Sequence, residues 1–251
     1  MKPLRGVLLD LDGTLVQTRE TSWLLFERTN DKFKLGIDTR EQYFDLFTEN
    51  MFEALPKLCP DPDRAEAAVD HFLDLLRREY KPPLVPGMLD VVRALSPHSV
   101  LGIVSSNALT AIRRIVDAAG VGNCIAHVFA GDVVPDKRVA IRQFLSDPSY
   151  ATLRSCSDAY EEKHPVAFEP DEVALVTDTV GDVRHAVECG VRVIGVSWGV
   201  HSPDALRAAG AEVIAQWPQE IISWAKGSLP ASGDLNDILE PTGAASRGNN
   251  K

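Results

Sequence analysis

The stretch GVLLDLDGTLVQT, residues 6–18, sets Asp10 and Asp12 one residue apart where an apolar run ends, just ahead of Gly13. Asp-Gly between apolar residues is a hairpin signal and would require a second strand to follow. The following segment, ETSWLLFERTNDKF, instead spaces Trp23, Leu25, Phe26 and Phe33 as a helix does. A calcium loop of the EF-hand type fails too. Counted from Asp10, Leu15 takes the sixth place where Gly is needed, and Thr21 the twelfth where Glu is needed. The remaining reading is a buried strand, Val7 to Leu9, whose carboxyl end offers acidic groups to a ligand, as in open α/β sheets.

Beyond residue 17 the pattern stays helical to about Tyr80. TREQYFDLFTENMFEAL opens with Thr39 and Gln42 at capping-box spacing, and DRAEAAVDHFLDLLRREY puts Ala65, Val69, Phe72, Leu73 and Leu76 on one face. KPPLVPG, residues 81–87, breaks the helix. From Gly87 on, helices (88–95, 107–118, 137–145, 182–189, 203–208) alternate with apolar strands (100–104, 125–130, 173–177, 192–196, 212–215). Such alternation marks βαβ units around a parallel sheet. The first strand has no partner in the helical stretch, so it joins this later sheet. The expected division is therefore a Rossmann-like α/β core of residues 1–16 and 86–227, an inserted helical module of residues 17–85, and a Gly-, Ser-, Pro- and Asn-rich tail, 228–251, read as disordered.

At 251 residues and 45% hydrophobic content, the composition is that of a soluble globular protein. There is no run of eighteen apolar residues and no secretory signal pattern, so a soluble, cytoplasmic protein is expected. Cys59, Cys124, Cys156 and Cys189 are scattered without a CxxC pair, which argues against a zinc site or a disulfide framework. A formal net charge of -10 argues against nucleic acid and anionic membrane as partners. An anionic ligand would then need local cations to hold it.

Polar groups recur at the carboxyl ends of the predicted strands. Ser105, Ser106 and Asn107 follow LGIV, Lys137 follows HVFAGDVVPD, and Asp178 and Asp182 lie in TDTVGDV after VALV. Singly these residues are ordinary caps, solvated lysines and turn formers. In a parallel sheet, however, all the carboxyl ends share one rim, so the groups converge with Asp10 and Asp12.

With these residues in place, the sequence resembles the haloacid dehalogenase superfamily of phosphohydrolases, over residues 5 to about 225. DLDGT at 10–14 matches the first motif of that family, Ser105 the second, Lys137 the third and TDTVGD the acidic fourth. Lys163 in EEKHP is a rival for the third motif, but it stands only fifteen residues before Asp178, with little room for a full helix. The helical insertion looks like a C1 cap of the phosphoglycolate-phosphatase-like and phosphoglucomutase-like members.

The resemblance implies Asp10 as nucleophile through an aspartyl-phosphate and Asp12 as general acid and base. It implies Mg2+ at Asp10, Asp12, Asp178 and Asp182, with Asp182 acting through the second shell or orienting Lys137. It also implies phosphoryl contacts from Ser105, Ser106, Asn107, Thr14 and Lys137. The expected activity is a Mg2+-dependent phosphatase for a small phosphorylated metabolite. A phosphomutase with the same nucleophile is the alternative, and a non-catalytic binding protein of this fold is the alternative of another class. Arg19, Arg28 and Lys32 are possible substrate contacts, but charges on an amphipathic helix ordinarily form a solvated face, so they stay outside the expected site.

Overall fold

A computed structural model of the chain describes residues 2–46, 55–146 and 167–227. Strand β1 (Gly6–Leu9) is followed by helices α1 (Thr18–Phe33), α2 (Arg40–Asp45) and α3 (Pro62–Glu79). Then come α4 (Met88–Leu95), β2 (Val100–Ser105), α5 (Leu109–Ala118), β3 (His127–Ala130) and α6 (Lys137–Ser146). The chain closes through β4 (Val173–Thr177), α7 (Val180–Glu188), β5 (Arg192–Val196), α8 (Pro203–Ala209), β6 (Val213–Ala215) and α9 (Pro218–Ala225).

The six strands form one sheet in the order β3-β2-β1-β4-β5-β6, and every pairing is parallel. β1 lies in the middle, with Leu9 opposite Ile103 of β2 and Val176 of β4. Its residues are all buried because both faces of the sheet are covered. Val7 and Leu9 pack on the side of α4, α5 and α9, while Leu8 packs with α6, α7 and α8. Neighbours along a strand point to opposite faces, which is why the strand reads as unbroken hydrophobicity. The strand order reverses at β1 and β4, and ligands of open α/β sheets bind in the crevice at such a switch point.

The two crossings between the sheet and α1–α3 are paired to each other. Gln17 N–H donates to Pro83 O at 2.9 Å, and Val85 N–H donates to Leu15 O at 3.0 Å. Within α1–α3, Phe26 stacks on Tyr43 with centroids 4.6 Å apart and meets Phe72 edge-on at 5.6 Å. The capping box at Thr39 and Gln42 forms as the spacing predicts.

Three expectations change. The buried face of α3 is Ala65, Ala68, Phe72 and Leu75; Val69, Leu73 and Leu76 are only half-buried. Small Ala68 replaces the expected Val69 in the interior, so the face is rotated by one residue. Helix α5 begins at Leu109, two residues later than predicted, because Asn107 and Ala108 turn the chain first. Helix α9 has no counterpart in the predicted elements. Pro218 sits at its first position, and Ile221, Trp224 and Ala225 are buried, with Ala225 O accepting from Leu4 N–H at 2.8 Å. The 228–251 tail and Lys163 lie outside the described residues.

Candidate active site

Asp10, directly after the central strand, is 4% exposed, and its backbone N–H donates to Val176 O of β4 at 2.9 Å. Lys137, the first residue of α6, reaches across to it. Its ammonium donates to Asp10 Oδ1 at 2.8 Å and to Asp182 Oδ2 at 2.5 Å. Asp182 lies in the first turn of α7, and its Oδ2 also accepts from Thr177 Oγ1 at 3.1 Å. Lys137 and Asp10 are both almost withdrawn from water, so their attraction is little screened and removing either would strand the other's charge.

Asp178 follows β4 and is fully buried. Thr14 Oγ1 donates to its Oδ1 at 3.0 Å and Val200 N–H to its Oδ2 at 2.8 Å. Burial raises the Asp178 carboxyl above its usual range, against the pull of these two donors and with a further push from the Asp182 charge. Burial likewise lifts Asp10 well above the ordinary carboxyl value, opposed by Lys137 and reinforced by Asp182 and Asp178. Burial pulls Lys137 down, but Asp10 and Asp182 together outweigh it and hold the ammonium charged.

Asp12 faces the opposite wall, and its carboxylate is held by three donors. Thr18 Oγ1 donates to Oδ1 at 2.9 Å, the Tyr80 hydroxyl donates to the same oxygen, and Asn107 Nδ2 donates to Oδ2 at 3.3 Å. Burial and the Asp12 charge push the Tyr80 phenol well above its usual value, so it stays a donor. Gly13 makes this turn possible. It has φ +80°, and a Cβ there would stand 2.3 Å from Asp178 Oδ2.

Between these walls lies a cavity of about 240 Å³ that reaches Asp10, Asp12, Ser105, Ser106, Lys137 and Asp182. Ser105 is nearly buried, and its Oγ accepts from Asn107 N–H at 3.0 Å. Arg19 also reaches this cavity, with its guanidinium donating to Gly199 O at 2.7 Å and lying over the Phe44 ring.

The structure thus brings Asp10, Asp12, Ser105, Ser106, Asn107, Lys137, Asp178 and Asp182 to one rim. Thr14 is the exception. It was expected to touch the phosphoryl group, but it is completely buried behind Asp178 and off the cavity, so it braces a carboxylate. Two contributors were not legible as site residues. Thr18 lies at the start of α1, and Tyr80 sits at the end of α3, just ahead of KPPLVPG. The only signal for Tyr80 was a lone aromatic hydroxyl where the chain returns to the sheet.

Three buried carboxylates, Asp10, Asp178 and Asp182, stand at the site, and among the described residues the Lys137 ammonium pairs with two of them, Asp10 and Asp182. That donor set is short of positive charge and suits a hard divalent cation. Among the described residues no three His, Cys, Asp or Glu side chains converge as a ready-made metal cage. Mg2+ does not need one, since it ordinarily takes one or two carboxylates and fills its octahedron with water and phosphate oxygens. Asp10 and Asp178 fit that pattern. Asp182, expected among the metal residues, accepts from Lys137 and Thr177 on Oδ2, so it orients the lysine whichever ligands a metal takes.

The family model for haloacid dehalogenase-like hydrolases matches residues 7–186, and the chain belongs to that family. Among its relatives is a protein named probable phosphatase IndB from Dickeya dadantii, 27% identical over 240 residues that cover 92% of this chain and 97% of that one. A phosphoglycolate phosphatase from Synechococcus elongatus is 26% identical over 227 residues, covering 87% and 96%. A solved structure described as a putative phosphatase from Clostridium difficile superposes with a TM-score of 0.73 at 18% identity, covering 90% of this chain and all of that one, which shows a shared fold. No described helix is long and apolar enough to cross a membrane.

Proposed function

We propose that this chain is a Mg2+-dependent phosphatase that hydrolyses a small phosphorylated metabolite through an aspartyl-phosphate on Asp10. The observation that carries the reading is the buried Asp10–Lys137–Asp182 ion-paired set at the mouth of the central strand, with Asp12 across the cavity from it. The phosphatase names of several relatives support it. In this reading residues 1–16 and 86–227 form the catalytic core and residues 17–85 the cap.

The chemistry follows from the placement. A carboxylate oxygen of Asp10 attacks phosphorus and the bond to the leaving oxygen breaks, while Asp12 gives that oxygen a proton. Asp12, now ionised, takes a proton from water; the hydroxide attacks phosphorus, the bond to Asp10 breaks and inorganic phosphate leaves. Lys137 and Ser105 offset and position the phosphoryl oxygens, and Asp182 and Thr177 keep Lys137 aimed. Asp10, Asp178 and the Asp12 carbonyl would hold Mg2+, which neutralises charge on the transferring group when bound.

The test is phosphate release from a panel of phosphorylated metabolites by the wild-type chain and by Asp10→Asn. The amide lacks the nucleophilic charge, and losing a covalent nucleophile costs several orders of magnitude. Turnover by Asp10→Asn above about a tenth of wild type would sink the mechanism. A hydroxylamine-sensitive phosphoprotein, trapped by acid quench and absent from Asp10→Asn, is the expected signature of the intermediate.

A further inference from the structure

We infer that the substrate's leaving group is an uncharged alcohol with an apolar body, held in a second cavity that opens on the far side of Asp12; this rests on the phosphatase reading above. The second cavity, of about 390 Å³, shares Asp12, Thr18 and Ser106 with the first. Its volume lies within the range of about 300–1,000 Å³ usual for small-molecule pockets. It is formed between α3 and the start of α5, where Leu73 and Leu76 face Ala108 and Ala111, with Tyr80 at the inner end. This is why Leu73 and Leu76 stay half-buried on a helix whose packed face is Ala65, Ala68, Phe72 and Leu75.

The charges of the two cavities differ. The first offers Lys137 and Arg19 beside Asp10, as a phosphoryl group requires. In the second, the neutral hydroxyls of Ser22 and Thr110 accompany the apolar wall, and the one cation among the described lining residues, Arg77, is exposed on the last turn of α3. An anionic leaving group taken from water would find, among the described lining residues, one solvated guanidinium and no buried cation. A charge withdrawn from water needs a partner. An alcohol with a ring or chain body needs none: its carbon skeleton covers Leu73, Leu76 and Ala111, and a hydroxyl along its edge meets Thr110, while the Ser22 hydroxyl already donates to Arg19 O. Asp12 stands on the shared wall, where the oxygen joining the two halves of the ester must lie.

The experiment compares benzyl phosphate, phosphoglycolate and ethyl phosphate with the full chain and Mg2+. Benzyl alcohol and the glycolate hydroxyl are of similar acidity, so chemistry alone favours neither ester. The expected result is a kcat/KM at least ten times higher for benzyl phosphate than for phosphoglycolate, with a lower KM. Leu73→Asp should lower the ratio of benzyl to ethyl phosphate kcat/KM about tenfold. A preference for phosphoglycolate that disappears in Arg77→Gln would mean the cavity reads an anion and would overturn the inference, as would equal use of all three esters. No phosphate from any of the three would sink the phosphatase reading instead. In that case, calorimetric titration of the wild-type chain still decides the cavity, because binding of benzyl phosphate no tighter than of phosphoglycolate overturns it.

Discussion

Asp12 must change protonation state twice in a turnover, so its orientation matters as much as its charge. Thr18, Tyr80 and Asn107 each hold one of its oxygens, and Tyr80 comes from the far end of α3. Tyr80→Phe keeps the buried ring and removes only the hydroxyl. A hydrogen bond to a charged group contributes about 1.5–3 kcal/mol, so kcat is expected to fall by about ten- to a hundredfold while KM stays within about threefold. Steady-state kinetics on the best substrate of the panel makes the check, and an unchanged kcat would remove Tyr80 from the positioning of Asp12. Motif residues could be read from the sequence because the parallel sheet itself aligns the ends of its strands. Tyr80 could not, since it meets Asp12, 68 positions back along the chain, only after α1–α3 have folded back; Thr18 reaches Asp12 locally, six positions away, but lies outside the DLDGT stretch that marks the site. Thr14 illustrates the reverse case: position within DLDGT marked it as part of the site, but not which way its hydroxyl would face.

At the scale of elements, the turn after β1 is held to a narrow geometry. Gly13→Ala would place a methyl group against the Asp178 carboxylate and force a side chain into left-handed backbone. The backbone alone costs roughly 1–2 kcal/mol, and the displaced carboxylate belongs to the proposed catalytic set. The expected result is a lower Tm together with a loss of turnover of at least about a hundredfold; a fully active Gly13→Ala would contradict the tight approach. Sheet and turn were legible because β1, β2, β4 and β5 are short, apolar and bounded by turn residues, and because Thr39 and Gln42 carry their capping pattern in plain sequence. Two features were not. The α3 face depends on tertiary packing, since α3 packs on α1 and buries Ala68 while the larger Val69 stays half-buried. Helix α9 is held by Ile221 and Trp224 packing toward α4 and by the tie from Ala225 to Leu4, contacts distant in sequence.

For the molecule as a whole, the net charge of -10 and the surplus of buried carboxylate at the site act in the same direction, so a divalent cation should bind and stabilise the fold. A ligand at a hundred times its Kd adds about 2.7 kcal/mol to stability. For a chain of this size each kcal/mol moves Tm by about 2–4 °C, so saturating Mg2+ is expected to raise Tm by roughly 5–10 °C over the chelated protein. Asp178→Asn should abolish most of that rise. Ca2+ separates binding from alignment. It accepts about six to eight oxygens at longer distances and readily takes a carboxylate through both oxygens, where Mg2+ holds a strict octahedron and takes one. Asp10 Oδ1 is already tied to Lys137, so a cation that also claims the second oxygen leaves no free atom to attack phosphorus in line. Misplacement of a reacting group by about an angstrom costs on the order of a hundredfold. Ca2+ should therefore raise Tm as Mg2+ does, yet support less than about a hundredth of the turnover and inhibit when added to the Mg2+ enzyme. Thermal melts and initial rates of phosphate release across a Ca2+ titration at fixed Mg2+ make the measurement. Equal turnover with Ca2+ alone, or full activity in excess chelator, would show that attack by Asp10 does not depend on a metal that leaves one of its oxygens free.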